Sequence, residues 1–244
     1  LVYSKTPNIL SMCDSWEYAL EKSNGEIVFF VGDDDGVMPN AVQKIIDVDK
    51  EFNSDVFFWK PHIYIWPDTL ENNAMIQNVT KTSQSKNFDP MINVRKSYKL
   101  GGSLLRNTPM LYHSAVKKTL LEDIICRNGR LFQSRQPDIF SGIAISIHSK
   151  IATNIGTALS VNAWSARSNS GSMRKKYGSK ENISYVNEYI NYKTHYKLFE
   201  STKTSFFNVT PEAMLEVSDC YKEENLELNF NAMWPIFFRL SGTY

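Results

Sequence analysis

The sequence predicts an α/β fold, a mixed sheet flanked by helices, followed by a mainly helical C-terminal region. Three observations carry that reading. Short apolar β-former runs alternate with amphipathic helical stretches in the N-terminal part of the chain. An acidic turn bracketed by Gly32 and Gly36 separates the first strand from the next helix. From Glu181 onward, Tyr, Phe and Leu are interleaved with Lys and Glu near helical spacing.

The elements follow in order. Asp14 with Glu17 three positions on has the pattern of a capping box at a helix start. Trp16, Ala19 and Leu20 fall at i, i+3, i+4 and give that helix one apolar face, and Asn24-Gly25 is a natural stop. The run Glu26-Ile-Val-Phe-Phe-Val31 is too short for a helix and suits a strand buried on both faces. Pro39 opens the next helix, whose Val42, Ile45 and Ile46 form an apolar stripe. Asp55-Val-Phe-Phe-Trp-Lys60 is the next strand. Helix, strand, acidic turn, helix, strand is the order of an α/β sheet with crossovers.

Further on, His62-Ile-Tyr-Ile-Trp66 alternates, as in a sheet extension or hairpin arm, and polar residues 68–87 read as a loop or insertion. Gly101-Gly102 breaks the chain, and Met110-Leu-Tyr-His113 is a short β-like run. Residues 114–125 read as a helix capped by Ser114. Residues 139–147 read as a helix with Ile139, Ile143 and Ile147 on one face, and residues 151–164 as a strand returning to the sheet. Residues 166–180, rich in Ser, Gly, Arg and Lys, read as a loop.

Composition excludes several function classes. Lys plus Arg number 27 against 26 for Asp plus Glu, so a net charge of +1 leaves no electrostatic footprint for nucleic acid. Cys13, Cys126 and Cys220 are odd in number, far apart and without a CxxC, which argues against a disulfide framework or zinc site and for a reducing, cytoplasmic setting. No apolar run approaches the ~20 residues of a spanning helix. Sequons at Asn78, Asn182 and Asn208 read as coincidental in an Asn-rich chain.

The chemistry concentrates at Asp33-Asp34-Asp35, directly after a predicted buried strand. Ligands of open α/β sheets bind at that edge. Adjacent carboxylates repel, and a hard cation such as Mg²⁺ or Mn²⁺, sharing its ligands with substrate phosphates, relieves the repulsion. A solvated turn is the alternative, since Asp and Gly both favour turns.

Residues 11–40, with Ser11-Met-Cys-Asp-Ser-Trp-Glu-Tyr-Ala-Leu20, Asn24-Gly-Glu-Ile-Val-Phe-Phe-Val-Gly-Asp-Asp-Asp35 and Pro39, resemble the GT-A fold glycosyltransferases of family 2. Asn107-Thr-Pro109 and Gln136-Pro-Asp138 extend the likeness loosely. The resemblance implies a GT-A-like, Rossmann-like sheet in a catalytic domain over residues 1–180, with residues 181–244 as the helical appendage. It implies an inverting transfer from a nucleotide-diphosphate sugar to a hydroxyl acceptor, a glycan or lipid-linked glycan in bacterial polysaccharide synthesis, assisted by Mn²⁺ or Mg²⁺. In that pattern Asp33 and Asp35 are the ends of the DxD motif. Asp35 is the direct metal ligand, and Asp33 or Asp34 lies nearer the sugar or ribose. Asp138 takes the place of the catalytic base, although relatives carry Glu-Asp where this chain has Pro137-Asp138. A helix N-cap is the competing role for Asp138. Arg167, with Arg174, Lys175 and Lys176, falls on a loop suited to close over the donor diphosphate. The family's first βαβ unit, which holds the nucleotide base, comes before the segment that opens this chain. The expectation is therefore weak donor binding by these residues alone.

Three features receive no catalytic role. His113 reads as structural, and Gly101-Gly102-Ser103 lacks the spacing of a phosphate loop. Tyr185, Tyr189, Tyr192, Tyr196 and Phe199 read as core packing, with peripheral association at the inner face of a membrane as the sharper alternative. Two rival functions stay open: another metal-dependent phosphoryl or nucleotidyl transferase, and a non-catalytic carbohydrate-binding or scaffold domain.

Overall fold

The computed structural model describes residues 2–67, 75–77, 83–103, 105–165 and 206–233. It is a mixed α/β architecture with two mixed sheets flanked by helices. The first sheet has the order β1 (Ile27–Val28), β7 (Ser114–Lys117), β3 (Val56–Phe58), β8 (Ala152–Asn154), β6 (Lys86–Phe88), and the second β2 (Gly36–Val37), β9 (Ser160–Trp164), β4 (His62–Ile65), β5 (Met75–Gln77).

The helix α1 (Met12–Lys22) starts one turn earlier than Asp14 suggests. Ser11 is the N-cap: its Oγ accepts from the Asp14 N–H at 3.1 Å and donates to the Asp14 carboxylate at 2.8 Å. Asp14 is therefore the reciprocal partner of the cap. Glu17, free of that duty, accepts from the Phe132 N–H at 2.5 Å. Strand β1 (Ile27–Val28) is short, and β2 (Gly36–Val37) follows the acidic turn. Pro39 precedes α2 (Ala41–Phe52), whose N-cap is Asn40.

Strand β3 (Val56–Phe58) is wholly buried. Its alternation divides the core. Val56, with Val28 and Val116, faces a large cluster shared with five helices, while Phe57 and Ala115 face Ala41, Ile45 and Val48 of α2. Opposite faces for successive residues are what a strand dictates. Fully burying one such side chain contributes about 1.5–3 kcal/mol, so both faces of β3 are energetically committed.

Two expectations change here. The stretch from Ser114 begins as a strand, β7 (Ser114–Lys117), and the helix α4 (Lys118–Asn128) starts after it. The reason is tertiary: β7 lies between β1 and β3 and pairs antiparallel with both, which satisfies a backbone that local pattern assigns to a helix. The polar stretch over 68–87 contains β5 (Met75–Gln77) and the start of β6 (Lys86–Phe88). β5 completes a pair with β4 (His62–Ile65), and β6 closes the first sheet beside β8 (Ala152–Asn154).

The predicted returning strand is two strands in two sheets. β8 runs parallel to β3, and β9 (Ser160–Trp164) runs parallel to β4 and antiparallel to β2. Gly156, at φ 77°, makes the break, and a Cβ there would meet the Ser83 carbonyl oxygen at 2.4 Å.

Helix α3 (Pro90–Lys99) is capped by Asp89, whose side chain accepts from the Met91 N–H. Helix α5 (Pro137–His148) is buried nearly all round, as a central helix should be. Gly142 on it permits contact with the 109–110 segment, since a Cβ would meet Met110 Cγ at 2.8 Å. The helix α6 (Phe206–Cys220) brings Ala213, Met214 and Val217 into the same core as α5. Tyr98 of α3 donates to the Met214 carbonyl at 2.6 Å.

Glu216 of α6 carries a measurable signature. Burial pushes its carboxyl up to about 7 from 4.5, opposed by a hydrogen bond from Ser134 and by the Arg135 charge. The folded state therefore holds a proton that the unfolded chain releases, and stability falls as pH rises from about 4.5 to about 7. Above that window the loss is on the order of 2–3 kcal/mol. Glu216→Gln removes this loss. Urea unfolding at pH 5 and pH 8 should show the variant gaining on the native chain only at pH 8, and parallel pH curves would contradict the assignment.

Candidate functional site

The sheet topology gathers one edge. β1, β3 and β8 point the same way and β7 opposes them. The acidic turn after β1, Trp59 after β3, Tyr112 and His113 before β7, and Ile155 after β8 therefore share the carboxyl edge of the first sheet. This is the edge at which open α/β sheets present ligand-binding groups.

The turn is tied on both sides. The Phe30 N–H donates to the Leu111 carbonyl and the His113 N–H to the Phe30 carbonyl, a parallel bridge between Phe30 and Tyr112. Beyond the turn, β2 pairs with β9 and the Met38 N–H donates to the Leu159 carbonyl at 2.9 Å. The three aspartates are thereby held between two sheets, and they differ sharply in environment.

Asp33 is exposed and Asp34 is half-buried. Desolvation raises the Asp34 pKa above the usual carboxylate value, and the Asp35 and Asp33 charges raise it further, against its own backbone and a hydrogen bond from Ser165. The Asp35 side chain is fully buried. Its Oδ1 accepts from the Ala163 N–H at 2.7 Å, and its Oδ2 accepts from the Gly32 N–H at 2.7 Å and from the Tyr112 hydroxyl. His113 Nε2 lies 3.5 Å from the same Oδ2. A carboxylate offers about four lone-pair directions, and here protein donors face nearly all of them. The expected role of Asp35 as direct metal ligand thus meets a carboxylate turned inward.

Gly32 is required by this packing. A Cβ there would lie 2.6 Å from the Tyr112 hydroxyl oxygen and 3.0 Å from both Asp34 Oδ1 and Asp35 Oδ2. Tyr112 is clamped by ring contacts, stacked on Trp16 with centroids 5.6 Å apart and edge-on to His113 at 4.4 Å. Burial first, then the hydrogen bond to Asp35, pushes its phenol pKa up. His113 is buried, with φ at 62°, a left-handed conformation that costs energy outside glycine. Burial pushes its imidazole down to about 4, against the opposing pull of Asp35.

Asp138 lies in the first turn of α5, one position inside Pro137. The N-cap is Gln136, so the capping role expected for Asp138 is not the one it takes: proline at the first helical position displaces it inward. Desolvation raises its pKa, opposed by the backbone N–H groups of Ile139 and Asp138 itself. The segment before it is pinned by α6, where Thr210 Oγ1 donates to Gln136 Oε1 at 2.6 Å, and by α1, where Cys13 Sγ donates to the Ser134 carbonyl at 3.0 Å. The far end of α5 leads into β8 at the opposite sheet edge, where Lys150 and Ile151 donate to Asp55. With Gly142 against Met110, the first turn of α5 lies toward the carboxyl edge.

Arg167 and its basic neighbours lie outside the described residues, as do Tyr185 to Phe199. Glu122 and Asp123 are exposed on α4, as expected of a solvated face. Sequence reasoning missed Tyr112, His113 and Ser160 as members of the site, because all three reach it through pairing that no local pattern announces.

No His, Cys, Asp or Glu trio among the described residues could hold a metal ion by itself. The fit is narrower: Asp33 and Asp34 can offer carboxylate oxygens outward. That suits Mg²⁺ or Mn²⁺ bound jointly with a diphosphate, since such ions need only one or two protein carboxylates. No helix among the described residues is long and apolar enough to cross a membrane.

No protein-family model matches the sequence, and no curated protein does. Among solved structures, the chain is similar to S. aureus TarS. Residues 1–349 of TarS in complex with UDP-GlcNAc align over 84% of this chain at 14% identity and a TM-score of 0.44. The complex with UDP aligns over 85% at 16% identity and a TM-score of 0.43. The chain spans 60% of those TarS structures.

Proposed function

We propose that the chain is catalytic machinery of a glycosyltransferase, moving a sugar from a nucleotide-diphosphate sugar to a hydroxyl acceptor with inversion. The observation that carries this reading is the braced acidic turn at the carboxyl edge, with Asp33 exposed and Asp34 half-buried. The resemblance of residues 11–40 to family 2 GT-A enzymes supports it.

In this reading Asp33 and Asp34 would hold a divalent ion together with the donor diphosphate, and that ion would supply Lewis-acid stabilisation of the leaving nucleotide. Gly32 and the Asp35 contacts keep the turn in place, so the two carboxylates are pre-oriented when the donor arrives. Asp138 accepts the proton of the attacking acceptor hydroxyl. Its desolvated setting suits a base, because a raised pKa brings the carboxylate nearer neutrality. Arg167 is assigned as a counter-charge to the donor diphosphate. A growing glycan is the proposed acceptor.

Ligand-observed NMR of the chain with a panel of nucleotide sugars and Mn²⁺ tests the reading. Binding should require the metal, and Asp33→Asn with Asp34→Asn should weaken it at least about tenfold, the cost of one lost charge-assisted contact. Binding that ignores both metal and substitution would overturn it.

A further inference from the structure

We propose that Thr210 of α6 is a positioning residue for Asp138: through the side chain of Gln136 it fixes the turn from which α5 starts. That Asp138 is the base rests on the transfer reading above. The hold on the turn does not.

The lead-in to α5 has little freedom of its own. Pro137 supplies no N–H and keeps Gln136 out of the helical region, at φ −125° and ψ 82°, so α5 cannot continue backwards. Two residues before Gln136, Ser134 is buried and left-handed, at φ 72°. A residue other than glycine keeps that conformation only where its surroundings hold it. The direction of the first turn of α5 is therefore set by what grips residues 134–136.

Neighbouring helices supply the grip. From α1, Cys13 Sγ donates to the Ser134 carbonyl at 3.0 Å. From α6, the Glu216 carboxylate accepts from the Ser134 side chain. Also from α6, Thr210 Oγ1 donates to Gln136 Oε1 at 2.6 Å. This last contact acts on the N-cap residue itself. The Gln136 carbonyl accepts from the Ile139 and Phe140 N–H groups, each at 3.1 Å, so the residues that follow Asp138 hang from Gln136. The Gln136 side chain is committed to Thr210 and makes no cap bond to α5. The N–H groups of Asp138 and Ile139 are left to the Asp138 carboxylate.

Thr210 is fixed in turn. Branching at Cβ makes its χ1 stiff. Its methyl faces the Gly101-Gly102 break: a Cβ on Gly102, at φ 93°, would lie 3.6 Å from Thr210 Cγ2 and 3.3 Å from Met214 Sδ. With the methyl seated there, the hydroxyl is directed to Gln136. The glycine at 102, which belongs to no phosphate loop, thus lets α6 approach closely enough for this bond. Core packing is the rival explanation for α6, since Ala213, Met214 and Val217 bury it against α5 whether or not Thr210 carries a hydroxyl.

The test is amide hydrogen exchange of the full chain, read by ¹⁵N NMR. Thr210→Val keeps the methyl and the shape but removes the donor. The Ile139 and Phe140 amides should then exchange at least about fivefold faster, the effect of one neutral hydrogen bond, while those of Ile45 and Val48 in α2 change by less than about twofold. Thr210→Ser, which keeps the hydroxyl, should restore the native rates. Gln136→Met removes the acceptor instead; it should speed the same amides, add nothing further to Thr210→Val, and stand in for that variant if it does not fold. The ¹³C carboxyl signal of Asp138, identified by its loss in Asp138→Asn, should shift in Thr210→Val and return in Thr210→Ser. Unchanged exchange at Ile139 and Phe140, equal acceleration in α2, no rescue by serine, or a stationary Asp138 signal would overturn the proposal. No readout involves a sugar nucleotide. An absent transfer reaction would remove the base role from Asp138 and leave the hold of Thr210 on α5 to be judged by these measurements alone.

Discussion

On the proposed transfer reaction, Asp138→Asn is expected to lower sugar transfer by about 10²–10⁴-fold while leaving donor affinity within about twofold, the range expected when a positioned general base is lost. Asparagine keeps the size and the acceptor oxygen of the side chain but takes up no proton. Asp138 sits in the first turn of α5, where a negative charge also favours the helix dipole. That contribution is about 0.3–1 kcal/mol, too small to account for a thousandfold kinetic loss. The pH profile separates the two roles. Desolvation raises the Asp138 pKa, so its acidic limb should lie above the usual carboxylate range. A base must be deprotonated to act, so activity falls as pH drops through that limb, and the variant's residual activity should lack it. The measurement is kcat/KM against pH for both proteins containing this chain. Transfer within threefold of wild type would remove Asp138 from the reaction.

Asp35→Ala unfolds the chain at a temperature lower by roughly 10 °C. The substitution strands the Ala163 N–H and the Tyr112 hydroxyl proton and leaves the Gly32 N–H with only its 3.1 Å bond to the Tyr112 oxygen. Each buried orphan costs about 1–3 kcal/mol, and partial relaxation brings the sum to about 3–5 kcal/mol. For a chain of this size one kcal/mol moves the midpoint by roughly 2–4 °C. A side chain whose main business was an external ion would behave otherwise, since removing an acidic group from a repelling cluster stabilises a metal-free turn. Differential scanning calorimetry without added metal decides between them. A midpoint unchanged or raised would place Asp35 outside the brace.

Much of this fold is legible along the chain. The helices around Trp16 and Leu20 and around Ile45, and the apolar run before the acidic turn, are each legible within one turn or one run, but Ala19, Val42 and Ile46, expected on the apolar faces, are exposed, and Cys13, Ala41 and Val48 complete the buried faces instead. Where local signals mislead, the cause lies in partners distant in sequence. Residues 114–117 resemble a helix start yet form the strand between β1 and β3, because two neighbours offer backbone hydrogen bonds that a helix would forgo. Ser11 rather than Asp14 caps α1, one turn from the expected boundary.

The aspartate cluster divides in the same way. Its existence, its place after an apolar strand and its chemical type follow from the residues alone, since carboxylates crowded on a turn repel wherever that turn lies. Which carboxylate faces water is a property of three dimensions. Asp35 is turned inward by hydrogen bonds from Tyr112 and Ala163, 77 and 128 positions further along the chain. Hydrogen bonds between groups so far apart are paid for by sheet pairing, and that pairing is settled only when both faces of the core close.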